Sequence, residues 1–315
     1  MGAPNLIGLL LTLAIGLAIA WALVVWHTAR RLTRPPRKRD GWALARNVPT
    51  SPDAYVRDDG SPMRAASWSF SADGAEYPVW DLEGDAPDGP SVVFTPGWGE
   101  SRWSALERAA ALLPRCARVV LWDPPGHGDG PGVCALGAHE ARPLRELIET
   151  VGGERGAVLY GYSLGAGVSL DAARENPSVL GVIAEAPYRL PVTPARGVMR
   201  SAGLPYRATL RPALVLAGLM TGSGTRLASA REGGWFDRAE LARQVSCPVV
   251  VIHGDADSIC PVEDGRTIAS AAPSGELLVL PGAGHTDLTR HESWPAAIER
   301  ALAMVSARAP ATADR

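Results

Sequence analysis

The junction at residues 157–175 constrains this chain more than any other feature. The apolar run Ala157–Tyr160 is short enough for a buried strand. It passes directly into Gly161-Tyr162-Ser163-Leu164-Gly165, and Leu164–Glu175 then carries a helical pattern. A strand that becomes a helix across so few residues needs a tight turn. Gly161 and Gly165 leave room for one because they lack a Cβ. Such a unit needs a sheet with helices against it, and the flanking sequence supplies the other strands and helices.

Strands are predicted at Ser91–Thr95, Arg118–Trp122, Val179–Glu185, Pro248–His253 and Leu277–Leu280. Helices are predicted at Arg102–Leu113, Glu140–Val151, Glu263–Ala271 and Trp294–Arg308. Arg64–Phe70 and Tyr77–Leu82 flank Ser71-Ala72-Asp73-Gly74 and read as a hairpin. Alternating strands and helices imply a mostly parallel central sheet with helices on both faces, with sites at the strand C-terminal ends. The alternation stops between Pro187 and Phe236, which reads as an inserted helical cap with Ala213–Met220 in its core. Residues 35–62 read as a linker and lead-in, and the chain should fray from Pro310.

The N-terminus has a different character. Asn5–Trp26 contains no charge, and as a helix it spans about 33 Å, against a hydrocarbon core of about 30 Å. A cleaved signal peptide would have a basic leading region and a shorter apolar run. The expectation is therefore an uncleaved transmembrane helix, with Trp21 and Trp26 at the interface. Arg30, Arg31, Arg34, Arg37, Lys38 and Arg39 follow it with no acid among them. The positive-inside rule makes this a single-pass membrane protein with a cytoplasmic body, and the collar can also meet anionic headgroups. Beyond residue 39 the chain holds 25 basic and 33 acidic residues, which gives no case for nucleic acid. Cys116, Cys134, Cys247 and Cys260 show no CxxC spacing and suit a reducing compartment. The expected division is a transmembrane helix at 5–26, a basic juxtamembrane segment and linker at 27–63, an α/β domain at 64–306 with its cap at about 187–236, and a tail at 307–315.

Three strand ends carry the candidate chemistry. Ser163 sits where a strand-to-helix turn exposes a nucleophile at a helix N-terminus, which favours developing negative charge. A serine hydroxyl needs a base, and His285 follows the last strand in Gly282-Ala283-Gly284-His285. The base needs an orienting carboxylate. Asp257 and Asp255 both follow the preceding strand. Asp257 is the choice, with Asp255 supporting the loop and Glu185 an outside candidate. The oxyanion donors expected are the backbone N–H groups of Leu164 and of Trp98 in Thr95-Pro96-Gly97-Trp98-Gly99. His253 is expected to pack structurally, and Asp123-Pro124-Pro125-Gly126-His127-Gly128 to brace the elbow. No spacing suggests a metal site, and no cofactor is implied.

Together PGWG at 96–99, DPPGHG at 123–128, GYSLG at 161–165, HGDAD at 253–257 and GAGH at 282–285 resemble the α/β-hydrolase family, over about residues 64–306. The resemblance is closest to its serine aminopeptidase (S33) and monoacylglycerol-lipase-like branch and to membrane-anchored hydrolase-domain proteins. It implies the triad Ser163, Asp257, His285 beneath a cap. Many relatives carry His-Gly where this chain has Pro96-Gly97, which bears on the second oxyanion donor. The expected function is a membrane-anchored serine hydrolase that cleaves lipid-like or small acyl esters through an acyl-enzyme. The alternatives are an S33-type aminopeptidase, an acyltransferase or perhydrolase, and a non-catalytic scaffold.

Overall fold

The computed structural model describes residues 6–306 apart from Asp58, Glu154 and Ala202. Asn5, the end of the last helix expected at Arg308, and the 307–315 tail lie outside the described residues. The order of elements is α1 (Leu6–Thr33), α2 (Asp40–Leu44), β1 (Ala65–Ala72), β2 (Ala75–Glu83), β3 (Ser91–Thr95), α3 (Arg102–Leu112), β4 (Arg118–Trp122), α4 (Ala141–Gly152), β5 (Ala157–Tyr162) and α5 (Leu164–Ala173). There follow β6 (Val179–Glu185), α6 (Val192–Ser201), α7 (Tyr206–Thr221), α8 (Arg238–Arg243), β7 (Val249–Gly254), α9 (Val262–Ala271), β8 (Gly275–Leu280) and α10 (Trp294–Ser306).

The strands form one eight-stranded sheet in the order β1-β2-β4-β3-β5-β6-β7-β8. β1 and β2 are an antiparallel hairpin, β2 meets β4 antiparallel, and the other pairings are parallel. The hairpin strands run closer together than expected, and the turn is only Asp73-Gly74, with φ of 50° and 74°. Both positive values match the two-residue turn that fits strand twist.

Each sheet face has its own apolar layer. Strand alternation sends Ala157 and Leu159 to one face, and Val158, Tyr160 and Tyr162 to the other. The first face is covered by α4, α5, α8 and α9, the second by α3 and α10. On α4, Ala141, Leu144, Leu147, Ile148 and Val151 are buried at helical spacing while Arg142, Glu146 and Glu149 face water. The stretch expected as a cap forms α6 and α7, between β6 and α8.

The segment expected as a linker is instead tied to the domain. Helix α1 continues past Trp26 to Thr33 because Val25, Thr28, Ala29 and Thr33 are buried against the body. The Cys134 N–H donates to the Thr33 carbonyl at 2.9 Å. The Arg37 guanidinium donates to the carbonyls of Gly128, Gly130 and Gly132 at 3.3, 2.8 and 2.9 Å. Lys38 pairs with Glu100, and Arg39 pairs with Asp129. This half of the basic collar engages the protein, whereas Arg30, Arg31 and Arg34 are exposed.

The 123–132 loop that Arg37 grips is ordered from within. Asp123 accepts the Arg102 N–H at 2.8 Å, Arg102 Nε at 3.0 Å and the Asp129 N–H at 2.9 Å. It therefore braces the start of α3 rather than the elbow. His127 is fully buried, its Nδ1 lies 3.0 Å from the Pro125 carbonyl, and its Nε2 has no partner among the described residues. Burial lowers its pKa to about 4. The unfolded chain takes up this proton near pH 6.5, so the native state loses stability as pH falls from about 6.5 to about 4. That loss should reach about 3 kcal/mol, and His127→Gln should flatten the melting temperature across this window by removing the titration.

Candidate active site

The elbow is held by contacts that leave no alternative residues. Ser163 has φ of 52° and ψ of −108°, a conformation that L residues rarely adopt. Its N–H donates to the Glu185 carbonyl at 2.8 Å, which locks the turn to β6. A Cβ on Gly161 would lie 2.3 Å from the Gly165 carbonyl oxygen, and one on Gly165 would lie 2.0 Å from that of Thr95. Both obstacles are backbone and cannot swing aside. Gly165→Ala should cost about 3 kcal/mol or more, read as a fall in the thermal midpoint of the full-length protein.

Ser163, Asp257 and His285 come from three loops at the same sheet edge. Ser163 Oγ lies 3.1 Å from His285 Nε2, and His285 Nδ1 lies 2.6 Å from Asp257 Oδ2. The other Asp257 oxygen accepts the N–H groups of Ile259 and Cys260 at 2.8 and 2.7 Å. Burial alone would raise the Asp257 pKa. Hydrogen bonds from His253 and His285, the His285 charge and the Cys260 N–H outweigh it and hold the carboxyl well below the usual range. Asp257 is thus an ionised acceptor aimed at one ring nitrogen.

The competing acids are occupied elsewhere. Asp255 accepts the Gly282 N–H at 2.6 Å and supports the loop leading to His285. The Glu185 carboxylate is buried under the elbow, held by Arg108 Nε at 3.0 and 3.2 Å and by the Tyr160 hydroxyl. His253 is buried, with Nε2 2.8 Å from the Cys260 carbonyl and 3.4 Å from Asp257 Oδ2. It packs structurally, as expected, and also buttresses Asp257, a role its strand-end position alone does not reveal. The Tyr162 hydroxyl donates to the His285 carbonyl at 2.8 Å, its ring 5.4 Å from the imidazole. Its place beside the serine in the GYSLG run was the available signal.

Cys260 brings its sulfur within 4.8 Å of donor atoms on Asp257 and His285. Burial pushes its thiol well above the usual value, so it stays protonated, which makes it a poor metal ligand. Leu164 follows the serine into α5, and Trp98 stands after β3 across the cleft. The backbone N–H of neither residue is engaged within the protein among the described residues. The Trp98 indole N–H donates to the Leu32 carbonyl at 2.9 Å, which fixes its turn against α1.

A cleft of about 260 Å³ opens over Ser163 and His285. Its walls are Leu32, Trp98, Leu136, Tyr188, Ala195, Val198 and Ile259, with Glu100 the acid at its rim. Larger cavities elsewhere, such as the polar one of about 480 Å³ beside Arg238, do not reach the serine.

Known proteins resemble this chain in sequence and in fold. Residues 92–301 match the alpha/beta hydrolase family. A pimeloyl-[acyl-carrier protein] methyl ester esterase of Chromobacterium violaceum is 27% identical over 234 residues, covering 65% of this chain and 90% of that protein. An uncharacterized protein of Mycobacterium tuberculosis is 26% identical over 273 residues, covering 84% of this chain and 83% of that protein. Among solved structures, an esterase of Pyrococcus furiosus superposes with a TM-score of 0.61 at 18% identity, covering 86% of this chain and 97% of that one. With a family match over two thirds of its length, this chain belongs to the alpha/beta hydrolase family.

Proposed function

We propose that the protein is a membrane-anchored serine esterase. One observation carries the reading: the hydrogen-bonded series Ser163 Oγ, His285 Nε2, His285 Nδ1 and Asp257 Oδ2 at 3.1 and 2.6 Å, at the floor of an apolar cleft. Ser163 attacks the ester carbonyl as His285 takes its proton. The N–H groups of Leu164 and Trp98 hold the oxyanion, where each donor is worth about 10²–10³ in rate. His285 then gives the proton to the departing alkoxide, and an acyl group remains on Ser163. Water, deprotonated by His285, releases it as a carboxylic acid and restores the serine. Asp257 keeps His285 in one tautomer throughout.

Esters are favoured over peptides by the rim of the cleft. An aminopeptidase needs a carboxylate for the substrate ammonium, and Glu100 is already paired with Lys38. Esterase names among the relatives agree with this preference. Helix α1 is long and apolar enough to cross a membrane, and Arg30, Arg31 and Arg34 favour a cytoplasmic body.

The test uses the full-length protein in detergent micelles. A fluorophosphonate should label the wild type at Ser163, and p-nitrophenyl esters should be hydrolysed far faster than aminoacyl-naphthylamides. Cleavage of the amides alone would replace this reading with a peptidase. Protease protection in sealed vesicles tests the orientation, and a body digested from outside would reverse it.

A further inference from the structure

We infer that helix α1 is a working wall of the catalytic cleft, which makes the cleft a site for single-chain acyl esters drawn from a bilayer. This inference rests on the serine-esterase reading above.

The last turn of α1 is inside the site. Leu32 lines the cleft that holds Ser163 and His285. The Leu32 carbonyl also accepts the Trp98 indole N–H, so α1 fixes the turn that carries the Trp98 backbone N–H. On its other flank α1 packs along cap helix α7, and the Trp21 indole N–H donates to the Ala208 carbonyl at 3.1 Å. Anchor, cap and Trp98 turn are therefore one packed unit, with no free tether between helix and site.

The rest of α1 marks where the bilayer lies. Residues 6–23 are exposed throughout, with Leu17 at 72% and Ile7 at 66%. They form an apolar cylinder about 27 Å long, close to the hydrocarbon thickness of about 30 Å. The cap beside Trp21 carries a matching charge. Between Glu185 and Glu232 the chain has seven arginines and no acid. Arg196, Arg200 and Arg207 gather around the half-buried Tyr206, next to the contact with Trp21. This face suits anionic headgroups.

Distance then selects the substrate. Leu32 stands about 14 Å along the helix from Leu23, while one headgroup layer is about 5–8 Å thick. The cleft begins just above the headgroups. A single acyl chain can rise along Leu32, pass Val198, which is 47% exposed at the lip, and present its ester to Ser163. A two-chain lipid would have to bring both chains out of the hydrocarbon into a cleft of about 260 Å³.

The experiment uses the full-length protein in nanodiscs with p-nitrophenyl laurate and p-nitrophenyl butyrate. Leu32→Trp should lower the laurate-to-butyrate ratio of kcat/KM about tenfold, and Leu32→Ala should raise it severalfold. Opposite shifts from one position are not produced by misfolding. Equal effects on both esters, or no effect, overturn the inference. Fluorophosphonate labelling separates the two levels. An unlabelled wild type overturns the esterase reading and this inference with it, whereas a labelled Ser163 with an unmoved ratio overturns the inference alone.

Discussion

Ser163→Ala should lower kcat for p-nitrophenyl butyrate by about 10⁶, leaving only the modest rate that binding and the oxyanion donors supply. The size follows from the division of labour in the site. In the proposed mechanism the hydroxyl is the attacking atom, and it lies 3.1 Å from the base, His285 Nε2. The fold should survive. Alanine keeps the Cβ, and the hydrogen bond that locks the turn, Ser163 N–H to the Glu185 carbonyl, is made by the backbone. The thermal midpoint should therefore stay close to wild type while fluorophosphonate labelling disappears. Residual activity within tenfold of wild type would move the nucleophile elsewhere.

Asp257→Asn is expected to cost about 10⁴ in kcat with little change in KM. An asparagine fits the same space and can still accept the Ile259 and Cys260 N–H groups through its oxygen. Its NH₂ then faces His285 Nδ1, where the carboxylate stood at 2.6 Å. Two donors cannot share that contact, so the ring adopts the other tautomer and presents Nε2–H to Ser163. The wild-type carboxyl is held far below its ordinary value, so it stays ionised from neutral pH down to about pH 5. The stability that Asp257 contributes has the corresponding sign. It is complete above the unfolded carboxyl value of about 3.9 and is lost as pH falls below it. A loss under tenfold would show that Asp257 does not set the tautomer.

Much of the candidate site was legible along the chain because each part is local. The elbow is a strand, a five-residue turn and a helix in immediate succession. Asp257 and His285 each follow directly from an apolar run, and strand ends in a parallel sheet share one edge. The two-residue hairpin turn at Asp73-Gly74 was nearly legible, and only its length differed. The basic collar was legible as charge but not as contact. Arg37 reaches the carbonyls of Gly128, Gly130 and Gly132, and neither its charge nor their glycine identity signals that pairing. The segment consequently read as a linker.

The sequence by itself determined the α/β architecture and the apolar N-terminal helix, and it singled out Ser163, His285 and Asp257, which the fold brings within hydrogen-bond distance of one another. These rest on periodicity and on short motifs whose geometry is set by neighbouring residues. Tertiary structure alone decided what surrounds them. It committed Glu185 to Arg108 and Tyr160, set His253 behind Asp257, and brought Leu32 to Trp98 across 66 positions of chain. Such contacts leave no periodic trace, because packing can join any two compatible surfaces that the fold brings together. Here that packing made the last turn of the N-terminal helix part of the cleft over Ser163 and His285.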